Sequence, residues 1–215
     1  MKGTRAVARS AAAGLLLLLI ACGSGLKHVR NLDRAAEGNI VALGDSITEG
    51  FGVGKEQAWP AVLSGLIGRP VLNAGVSGDT TPSALARLER DVLDREPGLV
   101  IVGLGGNDFL RQIPKEETER NLREIIARVQ GKGAAVVVLG MNLGMFVDEY
   151  KGLYARVAED MGAYLVPQVL EGILDTPKNR QEDRIHPNAA GQRLLAERIA
   201  KSLKPLLREA ARAHG

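Results

Sequence analysis

Two apolar runs constrain this chain more than any other feature: residues 99–104 (LVIVGL) and 134–139 (AAVVVL). Both are continuous instead of alternating, and a strand that is apolar on both faces must be covered on both. Shorter stretches at 40–43, 71–73 and 164–166 bring the candidate strands to five. The segments between them repeat at the helical period. Leu122, Ile125, Ile126 and Val129 fall on one face and predict an amphipathic helix over about 116–130. DTTPSALARLERDVLD predicts another, with Thr81 as N-cap and Pro82 as its first residue. A last helix is expected from near Pro187 past Leu195, Ile199 and Leu203. Strand and helix alternate throughout, so the expected fold is a three-layer α/β/α domain on a five-stranded parallel sheet. Ligands in such folds sit at the carboxyl ends of the strands.

This domain is assigned to residues 39–215, without a repeat or a second domain. Ahead of it, Lys2, Arg5 and Arg9 precede AAAGLLLLLIAC, a run too short to span a bilayer and laid out like an export signal. Residues 19–22 (LIAC) resemble the lipobox of bacterial lipoproteins. That resemblance implies cleavage after residue 21, acylation of Cys22 and a lipid anchor in the cell envelope facing the periplasm. Gly23 and Ser24 follow without the aspartate that often retains lipoproteins at the inner membrane, which favours the outer one where the cell has one. Residues 22–38 are expected to form a tether. Cys22 is the only cysteine, which excludes an internal disulfide, a thiolate metal cluster and a cysteine nucleophile in the body. Removing residues 1–21 takes away three of the 28 Lys and Arg and no acid, leaving 25 against 25 Asp and Glu. A formally neutral body gives no support for a nucleic-acid partner.

The chemistry should lie where strands end. Gly44-Asp45-Ser46 comes straight off the first strand and offers a nucleophile. Of three histidines, His28 lies in the expected tether and His214 is the penultimate residue, neither expected to be held rigidly; His186 is left as the base. Asp183, three residues earlier, is close enough to fix the imidazole tautomer and stabilise its cation. LGGND after the third strand brings Asn107, whose amide can donate to an oxyanion. Gly78, after the second strand, offers a free N–H just before a helix.

Gly44-Asp45-Ser46, Gly78, Gly105-Gly106-Asn107-Asp108 and Asp183-Arg184-Ile185-His186 resemble, in order and spacing, the four blocks of the SGNH (GDSL) hydrolase family. The likeness covers about residues 38–207. It is greatest to the family's bacterial periplasmic thioesterase, lysophospholipase and arylesterase branch. It implies a flavodoxin-like sheet of order 2-1-3-4-5, with Ser46 as nucleophile, His186 as base and then acid, and Asp183 as its orienter. The implied oxyanion hole comprises the N–H groups of Ser46 and Gly78 and the amide of Asn107; no metal or cofactor is required. The sequence departs at Ile47, where the family name has leucine, and at 141–150 (MNLGMFVDEY), where relatives often carry Arg-Pro or Pro-Pro.

The expected substrate is a small acyl ester or thioester, handled by a monomer. An acyl pocket is expected between the loop 108–112 and the loop 141–147, with Leu110, Met141, Met145 and Phe146 as apolar contacts and Asp45 beside them. A carbohydrate O-deacetylase is the alternative, but one Trp, three Tyr and three Phe provide few platforms for sugars. A non-catalytic binding lipoprotein would not need the whole Ser-His-Asp set. A phospho-acceptor or nucleotide-binding domain using Asp45 lacks the Gly-Lys-Ser/Thr loop.

Overall fold

The computed structural model describes residue 26, residues 28–141, residue 150 and residues 152–215. Five strands form one parallel sheet: β1 (Asn39–Gly44), β2 (Val71–Gly75), β3 (Pro97–Gly103), β4 (Ala135–Leu139) and β5 (Tyr164–Val166). Their order is β2-β1-β3-β4-β5. β3 and β4 are buried along their whole length, as their unbroken apolar sequences require, whereas the edge strand β2 buries only Val71 and Ala74.

The chain turns one way from β1 to β2 and the other way from β2 to β3. Right-handed crossovers therefore put α2 (Trp59–Ile67) on one face and α3 (Thr81–Asp91), α5 (Lys115–Gly131) and α6 (Leu153–Met161) on the other. The long C-terminal α7 (Ala189–His214) packs beside α2, while α5 lies against both α3 and α6. Leu122, Ile125, Ile126 and Val129 form the buried stripe of α5, and Leu195, Ile199, Leu203 and Leu206 that of α7. Two single turns, α1 (Ser46–Glu49) and α4 (Gly106–Leu110), follow β1 and β3 directly.

Three boundaries differ from expectation. Thr80, not Thr81, caps α3 through reciprocal bonds with Ser83, freeing Thr81 to be buried and to bond elsewhere. Asn188 caps α7, accepting from the amides of Ala190 and Gly191, so Pro187 lies just outside the helix. The expected tether is also too long. From His28 the chain already packs beneath the sheet: Arg30 N–H donates to Gly162 O at 2.9 Å, and Asn31 Nδ2 donates to Gln130 O and Ala134 O at 3.0 and 3.1 Å. Val29 and Ala35 are buried, and Arg69 Nη1 donates to Ala35 O at 2.7 Å. The polar residues that read as a linker satisfy backbone carbonyls at the lower edge of the domain. His214 is held there too, 2.8 Å from Glu37.

Candidate active site

Strand register assembles the site. Gly44 of β1 lies opposite Gly75 of β2 and Gly103 of β3, so the three loops leave the sheet side by side at the point where the strand order reverses. Ser46 follows two residues after Gly44, Gly78 three after Gly75, and Asn107 four after Gly103.

Ser46 opens α1, and Asp45 caps that turn by accepting the Ile47 N–H at 3.0 Å. Ser46 Oγ lies 2.9 Å from Nε2 of His186, and Nδ1 of His186 lies 2.6 Å from Oδ2 of Asp183. The other oxygen of Asp183 accepts the amides of Ile185 at 2.9 Å and His186 at 3.0 Å. Burial pulls the Asp183 carboxyl upward, but the bonds from the His186 ring and these two amides outweigh it and hold the group below its ordinary value. The turn is closed by Gln181 N–H donating to His186 O at 2.8 Å, with Arg184 in the left-handed region at φ 64°. The three side chains form one hydrogen-bonded row in which a carboxylate orients an imidazole and the imidazole faces a hydroxyl.

Gly78 takes φ +77°, a conformation that disfavours any side chain, and a Cβ there would also meet Arg111 Nη2 at 3.0 Å. Among the described residues, neither the Ser46 nor the Gly78 amide donates to a protein acceptor. Asn107 commits one of its two amide hydrogens to Asp79 O at 2.9 Å.

Beneath this surface lies a polar layer that sequence reasoning missed. Arg87 donates through Nε and Nη2 to Asp79 Oδ2 at 2.9 and 2.6 Å, and Nη2 also reaches Ala74 O at 2.8 Å and Gly44 O at 3.2 Å. Asp108, fully buried, accepts the Thr81 amide at 2.9 Å together with the hydroxyls of Thr81 and Thr118. Gln192 Oε1 accepts the Trp59 amide at 2.9 Å while its Nε2 donates to Ile47 O at 3.1 Å, joining the Ser46 turn to α7. Phe51 rests on the His186 ring at a centroid distance of 4.7 Å. Arg87 carried a readable signal: it shares the inward stripe of α3 with Ala84 and Leu88, where a cation needs a buried partner.

Two of the expected substrate contacts are not at the surface. Asp45 is 3 % exposed and spends its carboxylate on the α1 cap; burial pushes that carboxyl up to about 6. Met141 is 6 % exposed and belongs to the core, so it floors no open groove. Leu110 is where expected, 45 % exposed. It lines a hollow of about 530 Å³ with Phe109, Gln112, Ile113, Pro114 and Tyr150. Met145, Phe146 and Cys22 lie outside the described residues.

The chain belongs to the GDSL-like lipase/acylhydrolase family, whose model matches residues 42–194, and it is a hydrolase of the esterase type. It is 34% identical to the esterase TesA of Pseudomonas aeruginosa over 89% of this chain and 98% of that protein. It is 33% identical to thioesterase 1/protease 1/lysophospholipase L1 of Escherichia coli, over 80% of this chain and 86% of that one. The crystal structure of TesA superposes with a TM-score of 0.75, covering 79% of this chain and 99% of that chain.

Proposed function

We propose that the protein is an envelope-anchored hydrolase of acyl esters and thioesters that works through an acyl-enzyme on Ser46. The observation that carries this reading is the row Asp183–His186–Ser46, with contacts of 2.6 and 2.9 Å, at the sheet edge where three strand-end loops converge. His186 takes the Ser46 proton as Oγ attacks the acyl carbon. The amides of Ser46 and Gly78 and the side chain of Asn107 receive the oxyanion. His186 Nε2 then passes its proton to the departing alcohol or thiol. A water molecule, deprotonated by the same imidazole, releases the acid and restores Ser46. Asp183, held ionised by its three bonds, fixes the tautomer throughout.

The acyl chain is assigned to the hollow beside Leu110 and Phe109. Each methylene buried there is worth about 0.8 kcal/mol, or roughly fourfold in kcat/KM, until the hollow is full. Cys22 is assigned as the lipidated residue, with the domain in the periplasm.

Nitrophenyl esters of increasing chain length test the reading. The rate should climb from acetate and level off at short to medium acyl groups, and Ser46→Ala and His186→Ala should each lose at least about 10³-fold while still folding. Near-wild-type turnover in either purified variant would overturn the assigned roles. An enzyme that removes only acetyl groups, and prefers them on sugars, would transfer the assignment to carbohydrate deacetylation.

A further inference from the structure

Among the described residues, Phe51 is the aromatic residue whose ring packs on the proposed acid–base group, and it is out of place as a packing residue. Its ring lies 4.7 Å from the His186 ring, tilted by 42°, yet 49 % of the residue is open to water. Core packing does not explain a half-exposed phenylalanine, and the backbone that carries the ring is tied on both sides. Its amide donates to Ser46 O at 3.0 Å, and its carbonyl accepts from Gln181 Nε2 at 2.7 Å. The same Gln181 amide donates to Pro187 O at 3.1 Å, just after His186. Gly52 keeps this link possible: at φ +75°, a Cβ there would sit 2.3 Å from Gln181 Oε1. Phe51 is thus mounted on the nucleophile's turn and on the histidine's loop together.

That mounting puts the ring on one side of the reaction. Acylation forms the Ser46 Oγ–acyl bond and breaks the bond between the acyl carbon and the leaving oxygen or sulfur. The proton that Oγ gives up travels through His186 Nε2 to that leaving atom, so the atom must come within hydrogen-bond reach of Nε2. The leaving group therefore emerges against the imidazole, whereas the acyl chain is assigned to the hollow beyond Asn107. Resting on the hydrolase reading above, we infer that Phe51 is a specificity-determining residue for the leaving group: its exposed face is a platform on which a flat aromatic alcohol stacks as it departs.

Phenyl butyrate and trifluoroethyl butyrate deliver the same butyryl group to Ser46. The ratio of their kcat/KM values isolates acylation, while the leaving group is still attached. Phe51→Leu keeps an apolar cover but removes the flat ring, and should lower the phenyl-to-trifluoroethyl ratio by about tenfold, the scale of one lost aromatic stack plus its buried area. Phe51→Tyr should retain the ratio. Labelling of Ser46 with a fluorophosphonate counts competent sites in every preparation, so a misfolded fraction cannot imitate selectivity. If both esters fall by one factor in Phe51→Leu, the ring serves only to position His186 and the platform is refuted; an unmoved ratio refutes it equally. A wild-type protein that is unlabelled and cleaves neither ester would instead remove the hydrolase reading itself.

Discussion

Replacing Asp45 with asparagine should make the protein more stable at pH 8 and leave it little changed near pH 4. The carboxyl is almost wholly enclosed, and burial raises it from 3.8 to about 6 despite the Ile47 amide it accepts. A carboxyl that binds its proton more tightly when folded makes the unfolded state the one that ionises first. Between the two values the folded chain carries the extra proton, so stability falls as pH rises through that window and stays low above it. At about 1.4 kcal/mol for each tenfold in proton affinity, the rise amounts to about 3 kcal/mol of stability given up at neutral pH. Asparagine keeps an oxygen for the Ile47 amide and carries no charge. For a domain of this size the gain corresponds to roughly 6–12 °C in melting temperature at pH 8. The assay is a urea or thermal melt of both proteins at several pH values, subtracting one curve from the other so that every other titrating group cancels. A difference that stays constant from pH 4 to pH 8 would refute the reasoning, as would a variant less stable than wild type at pH 8.

Two further outcomes follow from the proposed roles. Asn107→Ala removes one oxyanion donor and should cost about 10²–10³ in kcat while fluorophosphonate still labels Ser46; a loss below tenfold would take Asn107 out of the reaction. Cys22→Ser should abolish incorporation of a clickable palmitate and release the protein from membranes, and equal labelling of variant and wild type would refute the anchor.

How much was legible in the sequence depended on how far each interaction reached along the chain. The five strands were readable because local runs such as LVIVGL and AAVVVL state their own burial, and the α5 stripe because it repeats at 3.6 residues. Asp183 and His186 share one turn, so their contact was readable from spacing alone. Their meeting with Ser46, 140 residues away, was reached only by eliminating the other two histidines and by the family resemblance. The failures share a cause as well. Residues 28–38 look like a linker because they are polar, but their partners are carbonyls near residues 130, 134 and 162, which no local window contains. Asp45 and Met141 were given to the substrate because they flank strand ends, where a side chain can turn inward as readily as outward.

The layer under the site explains why its upper residues can be so simple. Catalysis by fixed dipoles requires donors that are already in place, because donors that must reorganise give back what they gain. Ser46, Gly78 and Asn107 follow three separate strands, and the bond from Asn107 to Asp79 O is one direct tie between their turns. Arg87 adds a tie from below. One guanidinium binds Gly44 O at the end of β1, Ala74 O near the end of β2 and the Asp79 carboxylate of the Gly78 loop, and Asp79 O in turn takes the Asn107 amide. Asp91 bonds the far side of Arg87 at 3.2 Å, so the cation is matched on several sides. A pair this deeply placed, with side chains 10 % and 3 % exposed, is costly to break because the surviving charge stays buried. The same cost makes the loops rigid relative to one another. A glycine, a serine and an asparagine suffice as donors at the surface because the geometry is held from below by charge.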